Sequence, residues 1–316
     1  MSPASQISSS REIRALIRHN QSQKTFRKSM ESWIPRVLFL LAFLSILTTA
    51  GILIILLTET IEFFKVVPLL DFFTGTVLKP LSQTPAFGIL PLVMGTLVSS
   101  GIALLVAGPI GLMAAIYLSE YASRRVRSVL KPALELLAGI PTIVYGFFAF
   151  TFVTPLLREW IPSLDATNIL SPGLVMGVMI IPMIASLSED AMRAVPEAMR
   201  EGSAALGSTK LETSLKVVVP AALSGIIASF VLGISRALGE TMIVAIASGS
   251  SKNFSFDLTE SMQTMTAYIV EVTSGDAAAG STVYYSLYAV AMTLFALTLI
   301  MNLIAGKIAR KFREVY

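Results

Sequence analysis

The chain has 316 residues, 54% of them hydrophobic and 14% charged, a balance that a water-soluble domain of ordinary composition does not reach. It has no cysteine, which excludes disulfide frameworks, thiolate metal sites and cysteine nucleophiles, and its single histidine, His19, lies in a polar stretch, which argues against histidine metal sites and intramembrane proton relays. The formal charge is +4, and its meaning depends on where the basic residues fall.

Residues 1–36 form a Ser- and Gln-rich tail with scattered basic residues, expected to be partly disordered and to act as a solvated arm that sets topology. The tail is too long for the n-region of a cleavable signal, and the apolar run after it is too long for an h-region. A helix crossing hydrocarbon about 30 Å thick needs roughly 20 mostly apolar residues. Segments near 37–57, 87–119, 132–157, 166–188, 220–248 and 283–305 meet that requirement, so residues 37–316 are expected to form one all-α integral membrane domain of six transmembrane helices.

Gly108-Pro109 interrupts the long second segment, but splitting it there would move the cluster Arg124, Arg125, Arg127 and Lys131 to the outer side. With six spans and an inner N-terminus, the outer loops hold only Lys65, Lys79, Arg158 and Lys252, in accord with the positive-inside rule. The segment is therefore expected to be one kinked helix. The outer loops 58–86 and 253–272 carry apolar and aromatic residues suited either to an amphipathic helix at the interface or to a surface for an outer partner. Pro141, inside the third segment, should kink the helix and free the carbonyl one turn earlier, beside Thr142 and Tyr145. Such a kink serves either packing or the lining of a path.

The most polar long loop, 189–219, reads as two short helices around a hinge. Pro196 suits a helix start, Gly207 a left-handed C-terminal cap, and Thr209 with Glu212 a capping box. Glu201, Gly207 six residues later and Pro220 thirteen after that resemble the EAA loop of ABC importer permeases. The triplet here is Glu201-Gly202-Ser203, and Gly202 lowers helix propensity by about 1 kcal/mol relative to alanine. The resemblance implies that Glu201, Gly202, Ser203 and Gly207 belong to a coupling helix docking on a separate cytoplasmic ATPase. No G-x-x-x-x-G-K-[ST] sequence occurs in this chain.

The stretches "FGILPLVMGTLVSSGIALLVAGPIGLMAAIYLSEYA", "LAGIPTIVYGFFAF" and "SRALGETMIVAIASG" resemble segments of the permeases of phosphate-specific ABC importers, of the PstC type more than the sister PstA type. The resemblance implies the type I (MetI-like) importer fold and no catalysis in this chain. It also implies a sister permease, an ABC ATPase, a periplasmic or lipid-anchored phosphate-binding protein, and a bacterial inner-membrane location with both termini cytoplasmic. Nothing points to a nucleic acid partner, a cofactor or a metal.

Arg236 and Glu240 lie one turn apart in the otherwise apolar fifth segment. Ionisable residues inside a membrane segment are costly and default to a functional reading. Arginine presents a planar fork of donors suited to phosphate oxygens. Arg236 is expected to face the translocation path and contact the anion. Glu240 would compete for the same guanidinium or pair across the dimer, with Ser235 and Thr241 adding hydroxyls. The alternative is a buried pair that only fixes packing. At the level of function, a permease for another oxyanion such as molybdate or sulfate and an ion-coupled secondary carrier remain open.

Overall fold

The computed structural model describes residues 3–275 and 277–311, with side chains from Trp33 onward. The chain divides into two units, Met1–Thr58 and Glu59–Tyr316. Helix α1 runs Pro3–Val66, so the tail expected to be partly disordered is helical from Pro3. No Gly or Pro occurs between Pro3 and Pro35 to interrupt it. Apolar side chains between Trp33 and Leu57 are exposed, as a helix in hydrocarbon requires.

In the second unit, the end of α1 leads into α2 (Leu69–Thr74) and a short antiparallel hairpin, β1 (Leu78–Lys79) with β2 (Ala86–Phe87), in which Leu78 faces Phe87 and Lys79 faces Ala86. The aromatic outer loop does not lie as a free amphipathic helix. Phe63 is fully buried and meets Phe72 and Phe87 edge to face at 5.4 and 5.5 Å, in a core shared with Tyr268.

Helix α3 (Leu90–Ile116) passes through Pro109 and continues as a π-helical turn, Tyr117–Tyr121, giving one helix of 32 residues as expected. Next comes α4 (Arg124–Ala138). A continuous limb follows, made of α5 (Thr142–Phe148), a π-helical turn (Ala149–Val153) and α6 (Thr154–Trp160). The third span was expected as a kinked helix over 132–157, but α4 meets this limb at 84°. The break falls at Gly139–Pro141, because Pro141 supplies no N–H and drives the residue before it out of the helical region.

Helix α7 (Leu170–Arg193) is the best-buried of the long helices and packs against α3. After it come α8 (Glu197–Ala205), α9 (Lys210–Thr213), a π-helical turn (Ser214–Val218) and α10 (Val219–Ala221). The chain then bends by 72° into α11 (Leu223–Leu238). The expected continuous fifth helix over 220–248 is instead broken at 239–241, and α12 (Met242–Ala247) begins anew. The outer segment then leads to α13 (Met265–Ser274) and α14 (Thr282–Lys311). Among the described residues four helices are long and apolar enough to cross a membrane, and six if each bent pair is one span.

Candidate functional site

The break in the fifth span is built around Glu240. Its side chain is buried, and Oε1 accepts from the backbone N–H groups of Met242 at 3.1 Å and Ile243 at 3.4 Å. The carboxylate thereby satisfies the first free donors of α12 and neutralises the positive end of that helix. Arg236 and Glu240 consequently do not share one helix, and the expected i,i+4 pair is not made in this chain. The Arg236 side chain is exposed, with Nη2 3.8 Å from the Met179 sulfur and no salt bridge to a carboxylate among the described residues.

The neighbouring hydroxyls are more committed than the sequence suggested. The Ser235 hydroxyl, with one proton to share, lies within hydrogen-bond reach of both the Val231 carbonyl at 2.9 Å and the Asn302 side chain, which ties α11 to α14. Thr241 donates to the Gly239 carbonyl at 3.2 Å, inside the break. The hydroxyl of buried Tyr145 donates to the Leu137 carbonyl at 2.8 Å, which is the acceptor Pro141 leaves free. Tyr145 thus pins the two sides of the α4–α5 corner, and Thr142 sits half-buried at the start of α5. Tyr145→Phe should leave that carbonyl short of its hydroxyl donor. The expected cost is about 1 kcal/mol, read from the thermal unfolding midpoint.

The segment expected at the interface or against a partner divides in two: Phe254, Phe256 and Leu258 are exposed, while residues 262–268 fold back into the protein. Met262 N–H donates to the Ser248 carbonyl at 3.0 Å, and Met265 N–H to Thr96 Oγ1 at 3.0 Å. Thr266 Oγ1 donates to the Glu240 carbonyl at 2.7 Å, so a loop distant in sequence closes the break. Gln263, Thr264 and Thr266 are buried here. Gly95 gives the segment room, since a Cβ on it would lie 2.3 Å from the Gln263 carbonyl oxygen. The one signal in the sequence was a run of uncharged polar residues and methionines, "SMQTMT", with no charge to hold it in water.

At the other end, α8 has no buried residue, and Glu201, Gly202 and the 89%-exposed Leu206 face outward. Gly207 has φ +84°, with Gly207 N–H to Ala204 O at 2.9 Å and Ser208 N–H to Ser203 O at 3.2 Å, the two bonds of a Schellman cap. Thr209 and Glu212 form the expected capping box. The Thr209 backbone N–H, then Lys216 and the Thr209 hydroxyl, hold the Glu212 carboxyl down at about 2. A lowered carboxylate contributes above its ordinary value, so the box holds at neutral pH and is lost as pH falls through about 2. Ser203 turns inward, its hydroxyl 2.9 Å from that of Thr213. Nothing lies within 4 Å of a Cβ at Gly207, so Gly207→Ala is opposed by backbone conformation alone. The expected cost is about 1–2 kcal/mol by thermal denaturation.

Sequence reasoning missed two ionic mounts. Arg200 reaches Glu120 on the π-helical turn of α3, Nη2 to Oε1 at 3.1 Å and Nε to Oε2 at 3.3 Å, and also holds the Val195 and Met192 carbonyls at 2.7 and 2.9 Å. Glu189, fully buried on α7, lies 2.7 Å from Lys131, 3.4 Å from Arg127 and 3.7 Å from Arg193, fixing α4 to α7. The partners are 58 or more residues apart for Lys131 and 80 apart for Arg200, so no local pattern announces them.

Comparison with known proteins places this arrangement. Residues 107–314 match the family described as binding-protein-dependent transport system inner membrane component. The chain is 32% identical over 265 residues to a probable ABC transporter permease protein, YqgH, of Bacillus subtilis, covering 83% of this chain and 85% of that one. It is 35% identical over 246 residues to the phosphate transport system permease protein PstC 1 of Mycobacterium tuberculosis, covering 71% and 73%. Among solved structures, a bacterial alginate ABC transporter in complex with its pentasaccharide-bound periplasmic protein superposes with a TM-score of 0.60 at 17% identity, over 86% of this chain and 94% of the other. The inward-facing MetNI methionine ABC transporter gives 0.53 at 16% identity, over 72% and 95%. The fold is that of the type I ABC importer permeases, and the chain is a multi-pass, non-catalytic permease belonging to the binding-protein-dependent transport system inner membrane components.

Proposed function

We propose that this chain is one of two permease halves of an ATP-driven phosphate importer in a bacterial inner membrane, with both termini cytoplasmic. In this reading a PstA-like sister permease completes the path. A PstB-like ATPase takes up α8 through Glu201, Gly202 and the cap at Gly207, and a PstS-like phosphate-binding protein, periplasmic or lipid-anchored, delivers the anion. The 35% identity to PstC 1 supports phosphate as cargo. The structural observation that carries the reading is Arg236, a permanent cation at the end of an apolar helix with no carboxylate partner among the described residues, available to an anion passing between the two halves. Glu240 acts indirectly, by holding α12 at the break, while Ser235, Thr241 and Tyr145 fix the surrounding backbone and Thr142 lines the path beside them.

The test is uptake of labelled phosphate into vesicles carrying this chain, its sister, the ATPase and the binding protein. ATP-dependent uptake that resists excess sulfate and molybdate supports the reading. Uptake abolished by either competitor moves the cargo to another oxyanion, and uptake without ATP overturns the importer.

A further inference from the structure

A cavity of about 560 Å³ opens between the hairpin and the turn after α12. Its lining includes Thr76 and Lys79 from the hairpin and Ser250, Lys252 and Asn253 from the turn, and it contains no acidic residue. An antiparallel bridge between Val77 and Asn253 holds these two backbone segments together. The two lysines are half of the four basic residues on the segments read as outer, and the other two are elsewhere: Lys65 is engaged by Glu62, and Arg158 lies on α6. Lys79 has no ion pair among the described residues. Lys252 lies 2.7 Å from Glu271, the two side chains 20% and 40% exposed, so an anion entering the cavity would share this ammonium with the carboxylate.

We propose that this cavity is a receiving site for a tetrahedral oxyanion, held by Lys79 and Lys252 with hydroxyl and amide donors from Thr76, Ser250 and Asn253, before it moves to Arg236. The proposal rests on the phosphate-import reading for its cargo and its outward orientation. α12 has six residues, about 9 Å of helix, so the cavity at its far end stands one short helix from the Glu240 break. Two carbonyls at that far end already have donors, which lessens their repulsion of an anion: Asn168 N–H donates to Ala247 O at 3.1 Å and Met262 N–H to Ser248 O at 3.0 Å. A concave, cationic, acid-free lining favours a small anion over the surface of a protein partner, since such walls concentrate an anion at the mouth of a path.

Two measurements test it. In the purified wild-type complex, inorganic phosphate at fixed ionic strength should slow acetylation of Lys79 and Lys252 several-fold relative to chloride, and leave Lys65 unchanged. In vesicles, the double variant Lys79→Met with Lys252→Met should lose roughly tenfold in uptake at low phosphate. Stimulation of the ATPase by the loaded binding protein should persist, and the paired arginine variants should recover uptake. Absence of protection, or uptake unchanged in the double variant, overturns the site. Loss of ATPase stimulation in step with uptake also overturns it and assigns the lysines to protein docking. If the wild type moves a different oxyanion, the phosphate reading fails by itself, and the site is judged by protection with that anion.

Discussion

Arg236→Gln is expected to lower phosphate uptake roughly ten- to a hundredfold, the loss of one charge-assisted interaction of about 1.5–3 kcal/mol with the passing anion. Assembly should be unaffected, because among the described residues the guanidinium's one hydrogen-bond contact is a long one to the Met179 sulfur and its removal strands no carboxylate. Glu240→Gln separates the two residues. Its amide oxygen can still accept from the N–H groups of Met242 and Ile243, but the charge opposing the α12 dipole is gone, so the expected effect is a modest loss of stability. Uptake and thermal unfolding measured on both variants decide the matter. An Arg236→Gln complex that assembles and transports at the full rate removes Arg236 from the path.

The second large effect is expected at Arg200. Its side chain is 18% exposed and that of Glu120 is 7% exposed, so Arg200→Met leaves a nearly buried carboxylate with the Ser119 hydroxyl but no cation, and removes the guanidinium from the Val195 and Met192 carbonyls. Breaking one partner of such a pair costs about 3–5 kcal/mol, and the partial exposure of Arg200 argues for the lower end. Because Arg200 joins α8 to the π-helical turn that ends α3, its loss should release α8, the docking helix of the proposed function, from that span. Copurified ATPase and coupled uptake should both fall. Arg200→Lys should restore them only in part, because a single ammonium cannot reproduce a fork that serves four oxygens. Glu201→Ala is the contrasting variant. The residue is exposed, so ATPase recovery should drop with the unfolding midpoint unchanged. If Arg200→Met retains full ATPase docking and coupling, Arg200 is not the mount.

What the sequence disclosed was local. The left-handed Gly207, the box between Thr209 and Glu212 and the free carbonyl ahead of Pro141 depend on residues within a few positions of one another, and each is present. The passage of α3 through Pro109 followed from counting charges on either side of the membrane. The break at 239–241 was hidden because apolar residues surround it on both sides. Only Gly239 followed by an acid marked a possible helix end and restart. The inward folding of the outer segment was illegible for another reason. Its donors and acceptors sit on Thr96 and Glu240, and periodicity along one segment carries no information about partners on another.

That inward fold also constrains how the protein is made. The bond from Met265 to Thr96 joins residues 169 positions apart, so the Thr96 acceptor on α3 stays unfilled by Met265 until the stretch 249–264 has been made and docked. Closing so distant a contact is slow relative to forming the helices themselves. Thr266 reaches the Glu240 carbonyl from the same docked segment, so closure of the break is tied to a long-range contact rather than to the helices beside it.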